Sequence, residues 1–94
     1  MKHYSTLGAY TNGFIIVTKN NKFGLMDENK KLICKIKYDD VWFFDNEGFC
    51  AVSINGKWGY INTKGEELCK FKYNLLQLRE NKFKIVRIQK LKNI

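Results

Sequence analysis

The chain has 94 residues, of which 45% are hydrophobic and 15% aromatic, so it is suited to one compact domain and is too apolar for a disordered polyelectrolyte. Its net charge of +8 is unevenly placed: residues 1–80 carry twelve basic and nine acidic side chains, whereas residues 81–94 carry five basic ones and no acid. A basic C-terminal segment favours an anionic partner, either an acidic protein face or nucleic acid, although a lysine-protected sheet edge has the same composition.

Several classes of site lack the residues they need. Cys34, Cys50 and Cys69 form no C-x-x-C pair and His3 is the only histidine, so we expect neither a zinc site nor a disulfide framework. Cys34 and Cys69 stand at equivalent places 35 residues apart, which favours buried packing residues over reactive thiols. No segment approaches the roughly 20 apolar residues of a membrane span or the apolar core of a secretory signal. We therefore expect a cytoplasmic protein that makes no membrane contact, binds no cofactor and is not an enzyme.

The first predicted elements form a hairpin. Residues 1–13 have no regular period and two glycines, and they are predicted to be a short lead-in or one loose strand. FIIVTK (14–19) is a β-branched strand, Asn20-Asn21 is a turn, and KFGLMD (22–27) returns. LICKIKY (32–38) is predicted to be a third strand or an extended crossover, and residues 41–44 a fourth strand.

The same order recurs 35 residues later. FCAVSI (49–54) and KWGYIN (57–62) flank Asn55-Gly56, and both turn residues tolerate the positive φ of a type I′ hairpin turn. ELCKFKY (67–73) then repeats LICKIKY. We therefore divide the single domain into repeat one, residues 14–48, and repeat two, residues 49–82.

A third copy begins and stops. FKIVRI (83–88) matches FCAVSI after a one-residue deletion, so residues 83–94 are predicted to be a truncated capping strand. YNLLQLRE (73–80) alone is also compatible with a short helix, but its equivalent YDDVWFFD (38–45) is rich in strand formers, and we predict a strand. The fold class is therefore all-β, with about eight or nine short antiparallel strands and no helix beyond a turn or two.

The motif NGKWGYIN, followed by a glycine turn and a hydrophobic strand, resembles the bacterial WG-repeat (KWG-repeat) proteins. The resemblance covers about residues 14–80, and NNKFGLMD is a weaker match because Phe23 replaces the tryptophan. The family usually carries proline in the stretches that here are LICKIKY and ELCKFKY, and this chain has no proline. The resemblance implies tandem antiparallel hairpins that serve as a binding or scaffolding surface, and it brings no catalytic residues.

The repeated K-W/F-G step defines the predicted structural residues. Phe23 and Trp58 are expected to be the central core ring of each hairpin, with Gly24 and Gly59 leaving space for close backbone approach. Asn55 and Gly56 are expected to form the turn. The alternative for the two rings is a stacking platform for a base or a sugar.

Aromatic and basic residues define the predicted binding surface. Because neighbours on a strand alternate faces, the run Trp42-Phe43-Phe44 must place Trp42, or else Phe43, outside the core or under the tail or a partner. Pairs of lysines on one strand face of each repeat would stack into a basic ladder, which the C-terminal segment would extend. The basic residues concerned are Lys35, Lys37, Lys70, Lys72, Lys84, Arg87 and Lys90.

Two functions remain open. The first is a non-enzymatic module that docks on, and in one version inhibits, another bacterial protein or nucleoprotein with an acidic face, as a phage-encoded inhibitor of the anti-CRISPR kind would. The alternative is nonspecific binding of RNA or single-stranded DNA through the lysine ladder and the basic C-terminal segment. We expect a monomer. The alternative is a dimer that forms through an edge strand at residues 83–88.

Overall fold

The computed structural model describes residues 4–92, and it describes the side chains of residues 4–88. The chain forms two antiparallel sheets and then a helix. The first sheet has the order β1-β2-β3-β4 and the second the order β5-β6-β7. In chain order the elements are β1 (Ser5–Thr11), β2 (Phe14–Lys19), β3 (Lys22–Asp27), β4 (Leu32–Tyr38), β5 (Asp40–Val41), β6 (Phe49–Ile54), β7 (Lys57–Asn62) and α1 (Leu75–Lys92).

The two predicted hairpins are confirmed. Asn20 and Asn21 join β2 to β3 with φ of 52° and 64°, and Asn55 and Gly56 join β6 to β7 with φ of 53° and 78°. Positive φ at both central residues is the type I′ geometry, which suits the twist of a two-stranded ribbon. The register also repeats, since β2 and β6 each place a valine opposite the glycine of the K-W/F-G step.

A further hairpin lies in the residues predicted to be a lead-in. Asn12 and Gly13, with φ of 51° and 88°, join β1 to β2. Ser5 pairs with Thr18, and 35 residues later Asp40 pairs with Ser53. The pairing of β1 with β2 is therefore equivalent to the pairing of β5 with β6. Residues 5–11 are thus an ordered strand of the array.

The repeated glycines fit the expected role. A Cβ on Gly24 would lie 3.0 Å from the carbonyl oxygen of Cys34, and one on Gly59 would lie 2.4 Å from the ring of Phe71. Each glycine therefore permits close approach of the segment that follows its hairpin. Phe23 and Trp58 are half-buried and pack against core clusters.

The main core lies between the two sheets, which both contribute buried side chains to it. Cys34 is buried as expected, whereas Cys69 is only half-buried, and Cys50 is buried as well. Burial raises the pKa of the Cys34 thiol to about 11, so it stays protonated and packs as a small apolar group. The buried members of this core are Ile16, Leu25, Cys34, Tyr38, Val41, Phe44, Cys50, Val52 and Ile61.

The second repeat departs from the first after β7. Residues 67–73 make two isolated bridges, Ile61 to Glu67 and Trp58 to Tyr73, in place of a strand equivalent to β4. The strands predicted at residues 75–78 and 83–88 are wrong, because both segments lie in α1. The capping strand predicted for residues 83–94 is wrong over its described part, and residues 93–94 lie outside the described residues.

A capping box explains the start of α1. The Asn74 side-chain oxygen accepts from the Gln77 backbone N–H at 2.8 Å, and the Gln77 side-chain oxygen accepts from the Asn74 N–H at 3.0 Å. Two backbone donors that the first turn leaves without partners are thereby satisfied. At the equivalent place in repeat one, Trp42 stands where Gln77 would be needed, and a short strand forms instead.

One face of α1 packs on the second sheet. Leu78 and Ile85 are buried against Ala51 and Tyr60, on the face of the sheet that points away from the main core. Lys82, one turn from each, reaches the loop before β6. The helix therefore covers the outer face of the second sheet and presents its remaining surface to solvent.

Candidate functional site

The aromatic run 42–44 straddles the end of β5. The Trp42 backbone N–H still donates to the Ala51 carbonyl at 2.9 Å, but the strand itself ends at Val41. Phe44 turns inward and packs on Phe14, with ring centres 4.4 Å apart. Trp42 is 40% exposed and Phe43 51% exposed, so both rings lie at the surface, where the sequence required only one of them to be.

Trp42 is held from two sides. The guanidinium carbon of Arg79 lies 4.7 Å from the centre of the Trp42 ring. The Trp58 ring meets it edge to face, at a centre-to-centre distance of 6.3 Å and an interplanar angle of 85°. Cation–π and edge-to-face contacts are attractive geometries for an indole. The ring is therefore fixed in orientation while much of it stays accessible.

Two hollows adjoin at the side chains of Arg79 and Lys82. One, of about 310 Å³, lies between the Trp42-Phe43 loop and the second sheet. The other, of about 490 Å³, lies along α1 and is lined by Phe83, Val86, Arg87 and Glu47 besides the shared pair. The loop and the helix thus form one continuous surface.

The solvent face of α1 extends this surface. Leu76 is 70% exposed and Phe83 is 84% exposed. They are seven residues apart, so they share one face of the helix with Arg79 between them. Arg79 and Arg87 are also the only arginines of the chain. We call the set the aromatic–arginine surface; it consists of Trp42, Phe43, Leu76, Arg79, Phe83 and Arg87.

An ion-pair cluster holds the helix beside the loop. The Lys82 ammonium lies 2.6 Å from an Asp45 carboxylate oxygen and 3.0 Å from one of Glu47. Partial burial raises the pKa of Asp45, but hydrogen bonds from Lys82 and from backbone N–H groups outweigh it, so the pKa lies below its ordinary value. The hydrogen bond to Asp45 raises the pKa of Lys82 in turn. Arg79 and Arg87 make no ion pair among the described side chains, which leaves both guanidinium groups for another partner.

The predicted lysine ladder is only partly present. Lys35 and Lys37 are exposed on β4, but the Lys37 ammonium lies 3.1 Å from a Glu67 carboxylate oxygen. Lys70 and Lys72 are exposed in the irregular segment before α1, so the strand face predicted for them does not exist. Lys84 is exposed on α1, and the side chain of Lys90 lies outside the described residues.

Leu76, Arg79 and Phe83 were missed as surface residues because their segments were predicted to be strands. The signal that identifies them is Asn74-Leu-Leu-Gln77, an Asn-x-x-Gln capping box ahead of an apolar run. With a helix beginning there, spacings of three, four and seven residues separate a buried face, carrying Leu78 and Ile85, from an exposed face.

Over residues 4–92, no group of three or more histidine, cysteine, aspartate or glutamate side chains is placed to hold a metal ion. Over the same range, the helix is not long and apolar enough to cross a membrane.

Comparison with known proteins gives one family match. The model of a family described as WG containing repeat matches residues 2–23, 23–58 and 58–77. Successive matches meet at Phe23 and Trp58, the equivalent rings of the two hairpins, and they end near the start of α1. Neither the comparison with curated proteins nor the comparison with solved structures found a match.

Proposed function

The chain belongs to the family defined by the WG containing repeat, and on that premise we propose that it docks on an acidic and apolar face of another protein. A domain of WG repeats suggests a repeat-based protein-interaction module. The partner binds at the aromatic–arginine surface, to which it presents acidic and apolar groups. Docking would inhibit the partner where the covered face contains the partner's own active or binding site.

The observation that carries the proposal is the continuity of Trp42, Arg79 and Phe83 across two elements. Tryptophan and arginine are the residues in which protein interfaces concentrate their binding energy, and aromatic rings are enriched in interface cores. The Trp42 ring is already fixed by Arg79 and Trp58, so little rotamer freedom remains to be lost when a partner covers it.

The charge of α1 supports a partner that carries acidic groups. From Arg79 to Lys92 the helix carries six basic side chains and one acid, Glu80. A guanidinium offers a planar fork that matches a carboxylate. We therefore expect a partner segment that presents carboxylates to Arg79 and Arg87 and an apolar side chain to the hollow of about 490 Å³ between them.

Nucleic acid is the less favoured ligand. Phosphate binding through a ladder requires cations in a continuous row. Here Lys37 is paired with Glu67, Lys82 is paired with Asp45 and Glu47, and Lys70 lies off the sheet. Exposed Leu76 is aliphatic, so it neither pairs with a phosphate nor stacks on a base.

The test is affinity capture followed by binding of the purified partner. The wild type, Trp42→Ala, Phe83→Ala and Leu32→Ala are compared, each with nuclease present. Leu32 is the matched control, because it is an apolar side chain with the same 40% exposure as Trp42 but lies on β4. We expect one partner to bind the wild type and Leu32→Ala equally and to bind Trp42→Ala and Phe83→Ala at least about tenfold more weakly. Capture that nuclease abolishes, or that all four proteins share, would refute the proposal.

A further inference from the structure

The edge strand β1 carries no charged side chain. Residues 4–18, which include β1, its turn and most of β2, contain no Asp, Glu, Lys or Arg, in a chain that is 28% charged. Natural sheets usually protect their outer strands with lysine, proline, inward-pointing charges or β-bulges. Residues 4–18 contain no charged residue and no proline, and the irregularity after Leu7 leaves residues 5–7 in regular register.

The uncharged segment lies at the edge of the first sheet. β1 is the terminal strand in the order β1-β2-β3-β4, so its outer backbone groups have no strand partner within the described residues. Its side chains are exposed from Ser5 to Tyr10, with Leu7 at 43% and Tyr10 at 40%. An irregularity follows Leu7, where Gly8 has φ of 70°, so Ser5–Leu7 is the part that keeps a regular register with β2.

Electrostatics favours a second copy of the chain as the occupant of this edge. When two copies of one strand pair antiparallel about a twofold axis, a residue at the axis meets its own copy, and residues equally far before and after the axis meet each other. Like charges on one strand therefore come close together, and like charges opposite each other destabilise a sheet. On β4, the other edge of the sheet, Lys35 and Lys37 would face the same strand of the partner. The net charge of +8 opposes self-association over most of the surface. β1 contains no lysine, so two copies of this edge do not repel each other through charges on the strand.

We propose that two copies of the chain pair β1 with β1 antiparallel, through Ser5–Leu7, and so extend the two four-stranded sheets into one. The edge strand predicted at residues 83–88 is helical and offers no such route. The association is weak, because only the short regular segment before Gly8 contributes ladder hydrogen bonds.

Sedimentation velocity over a concentration series tests this, with two variants of opposite charge. Thr6 lies at the middle of the regular segment, so Thr6→Lys and Thr6→Glu each place like charges near the twofold axis. We expect a monomer–dimer equilibrium for the wild type, and a dissociation constant raised about fivefold or more in each variant alone. An equimolar mixture of the two variants should recover dimer, which a misfolded variant could not do. Thr63→Lys, an exposed site on the loop after β7, adds the same charge away from β1 and should leave the wild-type equilibrium in place.

Two outcomes would overturn the proposal. One is a mass corresponding to the single 11.1 kDa chain at every concentration up to about 1 mM, the weak end of measurable affinities. The other is a dimer that neither Thr6 variant weakens, because that dimer would form through another surface.

Discussion

At the scale of single residues, the two repeats show why equivalent positions carry different amino acids. Lys30 and Gly65 are 35 residues apart and both adopt left-handed φ, 67° and 80°. Asp27 and Asn62 close the two loops through matching side-chain bonds to backbone N–H groups. A Cβ on Gly65 would lie only 1.8 Å from the Ile33 carbonyl oxygen, so the residue that packs against repeat one has to be glycine.

This difference predicts opposite effects of two substitutions. Gly65→Ala combines a disfavoured φ with a backbone clash and should lower the free energy of unfolding by about 3 kcal/mol. Lys30→Gly relieves the left-handed strain and should raise it by up to about 1 kcal/mol, after the entropy that glycine adds to the unfolded chain is subtracted. Urea denaturation measures both. A Gly65→Ala protein as stable as the wild type would mean that the loop does not pack on β4 as described.

Trp58 allows a test by exchange between repeats. Because repeat one has Phe23 at the equivalent place, Trp58→Phe keeps a large ring and should cost less than about 1.5 kcal/mol. Trp58→Ala should cost about 3 kcal/mol, the low end of the range for large aromatic residues, because the ring is only half-buried. If Trp58→Ala has wild-type stability by chemical denaturation, the ring is a binding platform rather than part of the core.

Glu67 joins the two repeats and makes their contact sensitive to acid. It accepts a hydrogen bond from the buried Tyr38 hydroxyl at 2.7 Å and pairs with Lys37. The Tyr38 bond, and then Lys37, hold the pKa of Glu67 below its ordinary value despite partial burial. A carboxyl whose pKa is lowered by folding contributes stability above its unfolded pKa, and that contribution is lost as pH falls through the folded pKa.

We therefore expect the urea midpoint to fall as pH drops below the ordinary carboxyl range, near about 4.3. Glu67→Gln should make this decrease of the urea midpoint smaller. It should not abolish the decrease, because Asp39 and Asp45 also have lowered pKa values. Glu66→Gln is the matched control, because Glu66 is the exposed neighbour outside this contact. Identical pH profiles for the wild type and Glu67→Gln would contradict the role of Glu67.

At the scale of elements, the sequence predicts what short turn signals determine and misses what depends on competing local patterns. The hairpins at 14–27 and 49–62 follow from their Asn turns and alternating strands. The sequence predicts β1 only as one loose strand, because the irregularity at Gly8 removes its alternation, although Asn12-Gly13 is itself a hairpin signal. The repeat equivalence predicts strands at residues 75–78 and 83–88. The capping box of Asn74 and Gln77 instead begins a helix there. Four of the six residues of the aromatic–arginine surface lie on that helix.

The capping box can be tested through the helix it begins. Gln77→Ala should remove one reciprocal bond and destabilise α1 by about 1 kcal/mol, whereas Gln77→Glu preserves the box. Both tryptophans lie at the contact with α1, since Arg79 covers Trp42 and Trp42 meets Trp58. Fraying of α1 should therefore shift the intrinsic tryptophan emission to the red in Gln77→Ala and not in Gln77→Glu. Unchanged emission and unchanged helical circular dichroism in both variants would show that the cap does not determine the helix.

At the scale of the whole molecule, charge is divided between two regions. The uncharged hairpin 4–18 forms the outer edge of the first sheet, and the basic helix α1 covers the second sheet. The proposed dimer contact and the proposed partner surface therefore lie on different elements and can be occupied together. A weak dimer would present two aromatic–arginine surfaces, which raises the apparent affinity for any partner that carries two acceptor sites within reach.

A nucleic-acid ligand and a protein partner should differ in how strongly their binding depends on salt. Nucleic acid bound through four or five lysine contacts would follow a log–log slope of about −0.7 per contact, which is a loss of roughly fiftyfold to a hundredfold between about 50 and 200 mM salt. For a protein partner, the exposed Lys84, which lies outside the aromatic–arginine surface, should act mainly on the association rate, and the aromatic anchor on the dissociation rate.

The most direct measurement is the dissociation rate of the captured partner from the wild type, Trp42→Ala and Leu32→Ala at two salt concentrations. Loss of a central aromatic anchor should cost about 2 kcal/mol and so speed dissociation from Trp42→Ala about thirtyfold at both concentrations. Leu32→Ala should match the wild type. If arbitrary RNA instead binds with a steep salt dependence and the same affinity for all three proteins, the aromatic–arginine surface is not the binding site and the protein-partner account is wrong.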